Sequence, residues 1–298
     1  MGSQPVVERC AVQARVLDEP LAGTTPVARG WLCLEHRGAW PHDVTRHPDP
    51  AVSGFAARAT ALGWRLQLIR RTGRRTGDHP VRLFFADTAP GSTQLTSLTV
   101  DGPSELADVP LPEPGSALPG RRVRDPLLLV CTHGRRDRCC ALDGRALALA
   151  VEAAGEASVW ECTHLGGHRF APTALVLPTG YLYGHLDATA AIHARKAAGL
   201  HEVEIAQCRG RSTWSPAGQV AELAVRSATG LRDADELTVE QGNGVVRVTA
   251  RDGRRWDVLV EETTGEPRPA SCGVAALPWA GLRAVRIERV ERVRHARR

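Results

Sequence analysis

Hydrophobic positions in the first hundred residues recur at intervals that predict alternating strands and a helix. Residues 102–121 then carry five prolines and little hydrophobic periodicity, which predicts an irregular connector. Residues 1–101 are therefore predicted to form an N-terminal α/β domain that ends at this connector. The predicted strands cover 27–35, 64–69, 81–86 and 95–100, and the predicted helix covers 52–62.

After the connector, residues 122–230 have the element order β-α-β-β-β-α, which is typical of thioredoxin-like domains once a loop around His164 is allowed for. A further helix is predicted from Ser215-Pro216 to Val225. The tail, 231–298, alternates in three short strands between 237 and 261 and predicts a small β meander. The elements of 122–230 are strands at 126–130, 157–161, 174–177 and 181–185, and helices at 143–154 and 187–198.

Composition narrows the class of protein. Eight cysteines in 298 residues are too few for a disulfide scaffold, and residues 1–20 lack a secretory leader, so a cytoplasmic protein with free thiols is expected. No apolar run approaches the roughly 18 residues of a membrane span, so no membrane partner is expected. The net charge of +5 comes with one lysine and 4% aromatic residues, which argues against a nucleic-acid partner.

Four residues carry the strongest candidate chemistry. Cys131 ends a buried strand, Cys140 follows a polar loop, and His164 and His168 lie four residues apart after the next strand. If that loop takes a helical turn, both imidazoles lie on one face, and Gly166 and Gly167 leave room beside them. Two thiolates and two imidazoles at one sheet edge predict a metal or iron–sulfur site.

The run from Val130 to Cys140, the motif His-Leu-Gly-Gly-His at 164–168 and Arg-Gly-Arg-Ser at 209–212 resemble the sucrase/ferredoxin-like family. The resemblance implies a thioredoxin-like ferredoxin domain with a [2Fe-2S] cluster. It also implies that Cys131 and Cys140 bind one iron and that His164 and His168 bind the other. The family name includes sucrase, but no carboxylate pair stands out as a glycosidase acid and nucleophile.

Such a cluster predicts a one-electron carrier rather than a catalyst with its own substrate. Rieske-type centres span about −150 to +300 mV, against about −400 mV for plant-type ferredoxins, and ligating histidines make the potential depend on pH. No flavin or nicotinamide fingerprint is present, so a reductase or electron acceptor is expected to be a separate protein. Thioredoxin-like ferredoxins often pair, so a homodimer is one state that the resemblance allows.

Other interpretations stay open at this point. One alternative is a ligand set of Cys131, His133, Cys162 and His164, in which each Cys-Thr-His run resembles half of a Rieske motif. Another is a structural Zn²⁺ site in an interaction module, because two cysteines and two histidines also suit that ion. Thiol–disulfide exchange is a third class, which the absence of any Cys-x-x-Cys disfavours. Cys139 is interpreted as a packing residue beside the site.

For several residues other than the four candidate ligands, the sequence allows two interpretations or suggests no specific role. Arg209 and Arg211 either dock an acidic partner or bridge to carboxylates within the fold. The remaining cysteines are interpreted as buried or incidental: Cys10, Cys33, Cys208 and Cys272. The run Trp-Leu-Cys-Leu-Glu at 31–35 sits on its strand as 128–131 does, which suggests a degenerate second thioredoxin-like unit in the N-terminal half.

Overall fold

The computed structural model describes residues 9–73, 80–113, 115–242 and 244–290. Some residues of the predicted segments lie outside these ranges: Pro114 of the predicted connector, Asn243 of the predicted meander, and residues 1–8 and 291–298 of the predicted terminal domains. The helices are α1 (Cys10–Val16), α2 (Pro50–Ala61), α3 (Arg145–Ala153), α4 (Ala188–Gly199) and α5 (Pro216–Thr229). The strands are β1 (Gly30–Glu35), β2 (Trp64–Arg70), β3 (Val81–Asp87), β4 (Gln94–Val100), β5 (Arg121–Arg122), β6 (Leu127–Cys131), β7 (Val159–Cys162), β8 (Ala174–Leu177), β9 (Tyr181–Tyr183), β10 (Cys208–Arg211), β11 (Leu237–Gln241), β12 (Val246–Ala250), β13 (Arg255–Pro269) and β14 (Ala276–Val290).

The first unit of the fold consists of β1, α2, β2, β3 and β4. β1 and β2 are parallel and are joined by α2, whereas β3 pairs antiparallel with β1 and with β4. Pro50 occupies the first turn of α2, and the Asp49 carboxylate caps the helix by accepting a hydrogen bond from the Ala51 N–H at 2.9 Å. The strand order in this unit is therefore β2-β1-β3-β4.

The second unit repeats this arrangement with β6, α3, β7, β8 and β9. β6 and β7 are parallel and are joined by α3, β8 pairs antiparallel with β6, and β9 pairs antiparallel with β8. Asp187 caps α4 by accepting from the Ala190 N–H at 2.8 Å. The strand order β7-β6-β8-β9 therefore corresponds strand by strand to β2-β1-β3-β4 of the first unit. The predicted α/β class is confirmed.

The two units meet through their second strands in one ten-stranded sheet. β2 and β7 pair antiparallel through Ile69 opposite Cys162 and Arg70 opposite Glu161. Ile69 also pairs with Glu35 on β1, and Cys162 pairs with Cys131 on β6. Cys131, Cys162, Ile69 and Glu35 therefore form one row across four strands, with Cys131 and Glu35 in equivalent places.

Three core clusters follow from the alternation of side chains along the strands. One lies between α2 and the first unit, and a second lies between α3, α4 and the second unit. A third lies on the opposite face of the sheet and spans both units, with Trp31 and Phe84 from one and Leu129 and Trp160 from the other. Because burying each large apolar side chain contributes about 1.5–3 kcal/mol, this shared cluster supports the short β2–β7 junction.

The connector packs on the first unit. It contains a 3-10 helix, Pro103–Ala107, and the Arg58 guanidinium donates to the carbonyls of Leu106, Ala107 and Val109. Its last residue, Arg121, begins β5, which pairs with β4. The division into domains at 1–101, 102–121, 122–230 and 231–298 stays a prediction, although strands from both sides of the connector share one sheet.

The C-terminal meander is a separate antiparallel sheet in the order β11-β12-β13-β14. Its last two strands have 15 residues each and extend well beyond the predicted end at Glu261. Four elements have no counterpart among the predicted ones: β5, β10, β14 and the short helix α1. Prolines, glycines and charged residues hide the alternation in β13 and β14, where Pro267, Pro278 and Gly265 interrupt it. Within the described ranges, no helix combines the length and apolar character needed to cross a bilayer.

Candidate metal centre

Cys131 lies at the carboxyl end of β6, next to Cys162 in the row described above. The Cys131 side chain is 1% exposed, and its backbone N–H donates to the Thr173 carbonyl at 3.0 Å. The two loops that follow β6 and β7 leave the sheet at this same edge, because parallel strands end together. The edge therefore collects residues from both loops around one buried sulfur.

Cys140 reaches this edge through a folded loop and a π-helical turn, Cys140–Gly144, that leads directly into α3. Gly144 packs against the backbone of Cys131, and a Cβ at that position would collide with the Cys131 carbonyl oxygen. This contact brings the start of the helix against the end of β6. The predicted helix start at Asp143 is wrong, because helical structure begins at Arg138 and the Asp143 carboxylate pairs with Arg9. Such π-turns are frequent at functional sites.

His164 follows β7 and turns its Nδ1 atom toward the two sulfurs. The distance from His164 Nδ1 to Cys131 Sγ is 3.9 Å, and the distance to Cys140 Sγ is 4.0 Å. Thr163 fixes the backbone on one side, since its hydroxyl accepts from the Leu68 N–H at 3.1 Å and donates to Gln67 Oε1 at 2.7 Å. Cys131, Cys140 and His164 thus have donor atoms close enough to hold one metal ion.

His168 lies beside this group but its donor atoms are not part of it. Its ring centroid is 5.3 Å from that of His164, and its Nε2 is 2.7 Å from the Ala270 carbonyl oxygen. A carbonyl can only accept, so the proton lies on Nε2 and leaves a lone pair on Nδ1. That Nδ1 atom is buried and has no hydrogen-bond partner among the described residues. It is the free donor that an added ligand atom would satisfy.

The loop between the histidines is not the helical turn that the sequence suggested. Gly166 and Gly167 both have positive φ, at 85° and 69°, and a 3-10 helix begins only at His168. The glycine at 167 also makes room for the Arg209 guanidinium, which a Cβ would strike. The left-handed backbone and this close approach are the physical reasons for glycine here.

Arg209 supports the loop between His164 and His168. It is fully buried, donates to the Gly166 carbonyl at 3.0 Å and to Thr24 Oγ1 at 3.0 Å, and burial lowers its pKa to about 9. Arg211 is equally buried and pairs with the Asp235 carboxylate at 2.8 Å. The interpretation that these two arginines dock an acidic partner is therefore wrong, because neither guanidinium reaches the surface.

Electrostatics favour the ligand forms of these side chains. The hydrogen bond from the Cys140 thiol, together with the nearby His164 ring, holds the pKa of Cys131 well below its usual range in spite of burial. The same contact and burial raise the pKa of Cys140, so Cys131 is the thiolate of the pair. Burial lowers the pKa of His168, which keeps its imidazole neutral.

A cavity of about 480 Å³ opens beside His164 between the two units. Arg65, Arg136 and His133 contribute to its lining. Arg65 Nη2 lies 3.5 Å from the His164 carbonyl oxygen, and Arg135 and Arg138 of the loop after β6 are exposed. Arg65 and Arg136 thus give the cavity beside the candidate centre a positively charged rim, which also contains Asp43.

The profile of the sucrase/ferredoxin-like family matches residues 21–194, more than half of the chain. The matched region begins before β1, ends within α4 and contains Cys131, Cys140, His164 and His168. This chain belongs to the sucrase/ferredoxin-like family. No curated protein and no solved structure matches it. The family match also spans both strand units rather than the second alone.

Within this family member, the alternative ligand set does not converge. Cys162 pairs with Cys131 along the sheet, but among the described residues the donor group around Cys131 contains neither Cys162 nor His133. Burial raises the pKa of Cys162 and lowers that of His133 to about 4. Both His133 ring nitrogens are buried without partners in the part of the chain that the structure describes, and its ring packs edge-on against Trp40.

Cys139 belongs to a second group of donors that the sequence analysis did not foresee. Its sulfur lies near those of Cys10 and Cys272, two cysteines outside the family match, and near the Asp137 carboxylate. Cys10, Cys33 and Cys208 are buried, as interpreted, and Cys272 is half-buried. Cys10 and Cys272 are nevertheless not incidental, because their sulfurs belong to this group. Sequence separations of more than 120 residues left no local pattern that could have revealed this group.

Proposed function

We propose that Cys131, Cys140, His164 and His168 hold a [2Fe-2S] cluster and that the protein transfers single electrons. The observation that carries this proposal is the convergence of two cysteine sulfurs on His164 Nδ1, with the Nδ1 of His168 buried and unpartnered beside them. These two thiols and two imidazoles are the donor set of a mixed-ligand iron–sulfur centre. When bound, the cluster supplies reversible one-electron chemistry.

The role of the protein in this proposal is to hold charge and protons in place. Cys131 sits in a buried site with a depressed pKa, so its thiolate is ready to bind metal at neutral pH. Replacing two thiolates by neutral imidazoles makes the site less negative, which favours adding an electron. The potential is therefore expected to lie above that of a ferredoxin with four cysteine ligands.

His168 is the residue through which pH acts in this proposal. Its Nε2–H is held against the Ala270 carbonyl, which fixes the tautomer and leaves the buried Nδ1 as the free donor. Loss of that proton would add negative charge next to the site and remove the hydrogen bond. The reduction potential is thus expected to fall as pH rises, and a potential that stays flat between pH 6 and 10 contradicts this part of the proposal.

Electron exchange is proposed to take place with a separate protein at the positively charged rim. Arg65, Arg136 and His164 border the cavity beside the site, and the exposed Arg135 and Arg138 extend the charge outward. Such a surface suits an acidic reductase or acceptor, whose approach it would steer at low ionic strength. The rate of electron exchange is expected to fall as salt is added.

The first test is the visible absorption spectrum of anaerobically purified protein, with iron, sulfide and zinc assayed in the same sample. A red-brown protein with about two irons and two sulfides per chain, and a low average g value after reduction, supports the proposal. His164→Ala should lose the spectrum. Exposed His193 on α4 is the matched control, and His193→Ala should keep it.

A structural zinc site is the second candidate. The three donor atoms of Cys131, Cys140 and His164 lie within 4.8 Å of one another, which suits a single tetrahedral ion without rearrangement. A colourless protein in which zinc depends on Cys131 and Cys140 would replace the cluster by this function. Absence of any metal that depends on these residues would leave Cys131 and Cys140 as a thiol pair.

A further inference from the structure

Three cysteines from remote parts of the chain meet next to the candidate centre. Cys10 begins α1, Cys139 precedes the π-helical turn, and Cys272 lies in the turn between β13 and β14. Their sulfurs form a triangle whose edges are 3.4 Å (Cys139 to Cys272), 3.7 Å (Cys10 to Cys139) and 3.7 Å (Cys10 to Cys272). Three remote thiols have therefore been brought to one point.

The size of this triangle fits a tetrahedral ion. With Zn–S bonds of about 2.3 Å, two sulfurs at a tetrahedral angle are separated by about 3.8 Å. The two edges at Cys10 match that separation, and the third is slightly shorter. A disulfide would use only two of the sulfurs and leave the third thiol buried beside the bond. The near-equal edges favour one ion shared by all three.

Asp137 offers the fourth ligand. Its two carboxylate oxygens lie 3.7 and 3.8 Å from Cys10 Sγ. They accept hydrogen bonds from the Cys139 N–H, the Cys272 N–H and the Ser271 hydroxyl, at 2.7, 2.9 and 2.7 Å. A carboxylate has about four lone-pair positions, so about one stays available for a metal. The three bonds restrain the carboxylate beside the three sulfurs.

The surroundings suit a negatively charged metal–thiolate group. Cys10 and Cys139 are fully buried, and Asp137 is 5% exposed. The Ala11 backbone N–H is directed to Cys139 Sγ, and the Cys10 backbone N–H is directed to Cys272 Sγ. Backbone N–H groups that donate to sulfur stabilise thiolates without a positively charged partner.

We propose that Cys10, Cys139, Cys272 and Asp137 bind one divalent ion of the zinc class, at a site distinct from that of Cys131 and Cys140. Binding forms three metal–sulfur bonds and one metal–oxygen bond, and the three thiol protons pass to solvent. The ion takes no part in electron transfer. Its chemistry is that of a closed structural site with a Cys₃Asp ligand set.

The site would act as a clamp on the neighbouring centre. It ties α1 and the β13–β14 turn to the loop that delivers Cys140. The same turn carries the Ala270 carbonyl that binds His168 Nε2, and His168 Nε2 lies 3.9 Å from the Asp137 carboxylate. Losing the ion should therefore loosen His168 as well, although the two sites have no ligand in common.

Metal analysis of full-length variants, grown with both zinc and iron, tests the proposal. The wild type should contain about one zinc per chain in addition to its iron. Cys272→Ser and Cys10→Ser should each reduce zinc at least tenfold and retain at least half of the iron. Cys140→Ser should do the reverse. The matched control is Cys208→Ser, which replaces a buried cysteine far from both groups and should keep both metals.

Two results overturn the proposal. One is zinc content in Cys272→Ser and Cys10→Ser equal to that of the wild type. The other is a disulfide among Cys10, Cys139 and Cys272 in the intact mass of freshly purified, unreduced wild type. Because either serine variant could misfold, alkylation of the wild type provides a second measurement. These three thiols should resist iodoacetamide until zinc is removed with a chelator, and equal labelling before and after removal contradicts the site.

Discussion

The row of paired residues across the large sheet ends in Cys131 in the second unit and in Glu35 in the first. Both are the last residues of the first strand of their unit, and both lie one strand away from the β2–β7 junction. Glu35 accepts a hydrogen bond from the Arg82 N–H at the sheet edge, whereas Cys131 faces Cys140 and His164. The same strand arrangement therefore supports a candidate metal centre in one unit and an ordinary polar strand end in the other.

The helices that follow these strands differ in the same way. α2 begins at Pro50 with the Asp49 carboxylate as a cap, so the backbone donors of its first turn are satisfied by its own sequence. In the second unit, the Asp137 carboxylate caps the helical segment in the same way, because it accepts from the Cys139 N–H at 2.7 Å, but a π-helical turn at Cys140–Gly144 intervenes before α3. The comparison teaches that the strand order sets where a site can form, while the strand end and the helix start decide whether it does.

The largest expected effect comes from removing a donor in the second unit. Cys140→Ala should abolish iron binding, because one of the two sulfurs beside His164 is lost. Cys33→Ala, the matched change on β1 of the first unit, should retain full iron content, since Cys33 is a buried packing residue. Iron and sulfide assays on both purified variants make the measurement. Equal loss in both would show that the metal depends on packing rather than on the site.

Two glycine-to-alanine substitutions should change the stability of the protein in opposite directions in the two units. Gly144→Ala places a methyl group against the Cys131 carbonyl and should destabilise the protein by about 3 kcal/mol or more while displacing Cys140. Gly54→Ala, in α2, meets no atom within 4 Å and should stabilise the protein by about 1 kcal/mol. Urea unfolding of both variants checks this opposition, and the same sign for both would refute it.

Acid should weaken the second unit through His185, which follows β9. Burial lowers the pKa of His185 to about 4, so the unfolded chain takes up a proton at higher pH than the folded protein does. Stability should fall as the pH drops from about 6.5 to about 4, by ~1–2 kcal/mol for this group after allowance for solvent screening.

The variant His185→Asn tests this, because asparagine tolerates the positive φ of 55° at this position. Urea midpoints measured at pH 7.5, 5.5 and 4 should change less in this variant than in the wild type. His193→Asn, an exposed change on α4, should keep the wild-type dependence. A wild-type slope that survives in His185→Asn would assign the acid effect elsewhere.

The smallest effect concerns the helix caps. Asp49→Ala should cost about 1 kcal/mol, because the Ala51 N–H loses its acceptor, and iron content should not change. Asp187→Ala removes the equivalent cap of α4 and should cost a similar amount. Thermal unfolding together with an iron assay distinguishes a local helix effect from an effect on the site. Iron loss in Asp49→Ala would mean that the first unit supports the centre.

Much of the sheet could be predicted from the sequence, because its strands bury both faces and read as short apolar runs. Leu127–Cys131 and Ala174–Leu177 were found within one residue for this reason. The predicted helix after Cys131 starts at Asp143 whereas helical structure begins at Arg138, because the π-helical turn depends on the packing of Gly144 against Cys131 and has no local pattern. β10 was missed because buried arginines, Arg209 and Arg211, make a strand read as a polar loop.

The candidate site could likewise be predicted only in part from the sequence. The motif spacing pointed to Cys131, Cys140 and His164, whose donor atoms lie together, and to His168, whose place in the ligand set stays a prediction. No spacing could reveal that Arg209 supports the glycine loop or that Ala270 holds His168, since these contacts join residues 43 and 102 positions apart. The group around Cys139 likewise depends wholly on tertiary packing.

The symmetric β2–β7 junction has a consequence for stoichiometry. Two-fold contacts of this kind are how identical subunits usually join, each contributing the same edge. Here both halves belong to one polypeptide, so the pairing is intramolecular and does not depend on concentration. One half can therefore differ in sequence from the other, and every molecule still contains one unit of each kind. The ratio of one centre to two units is therefore fixed by the covalent chain itself.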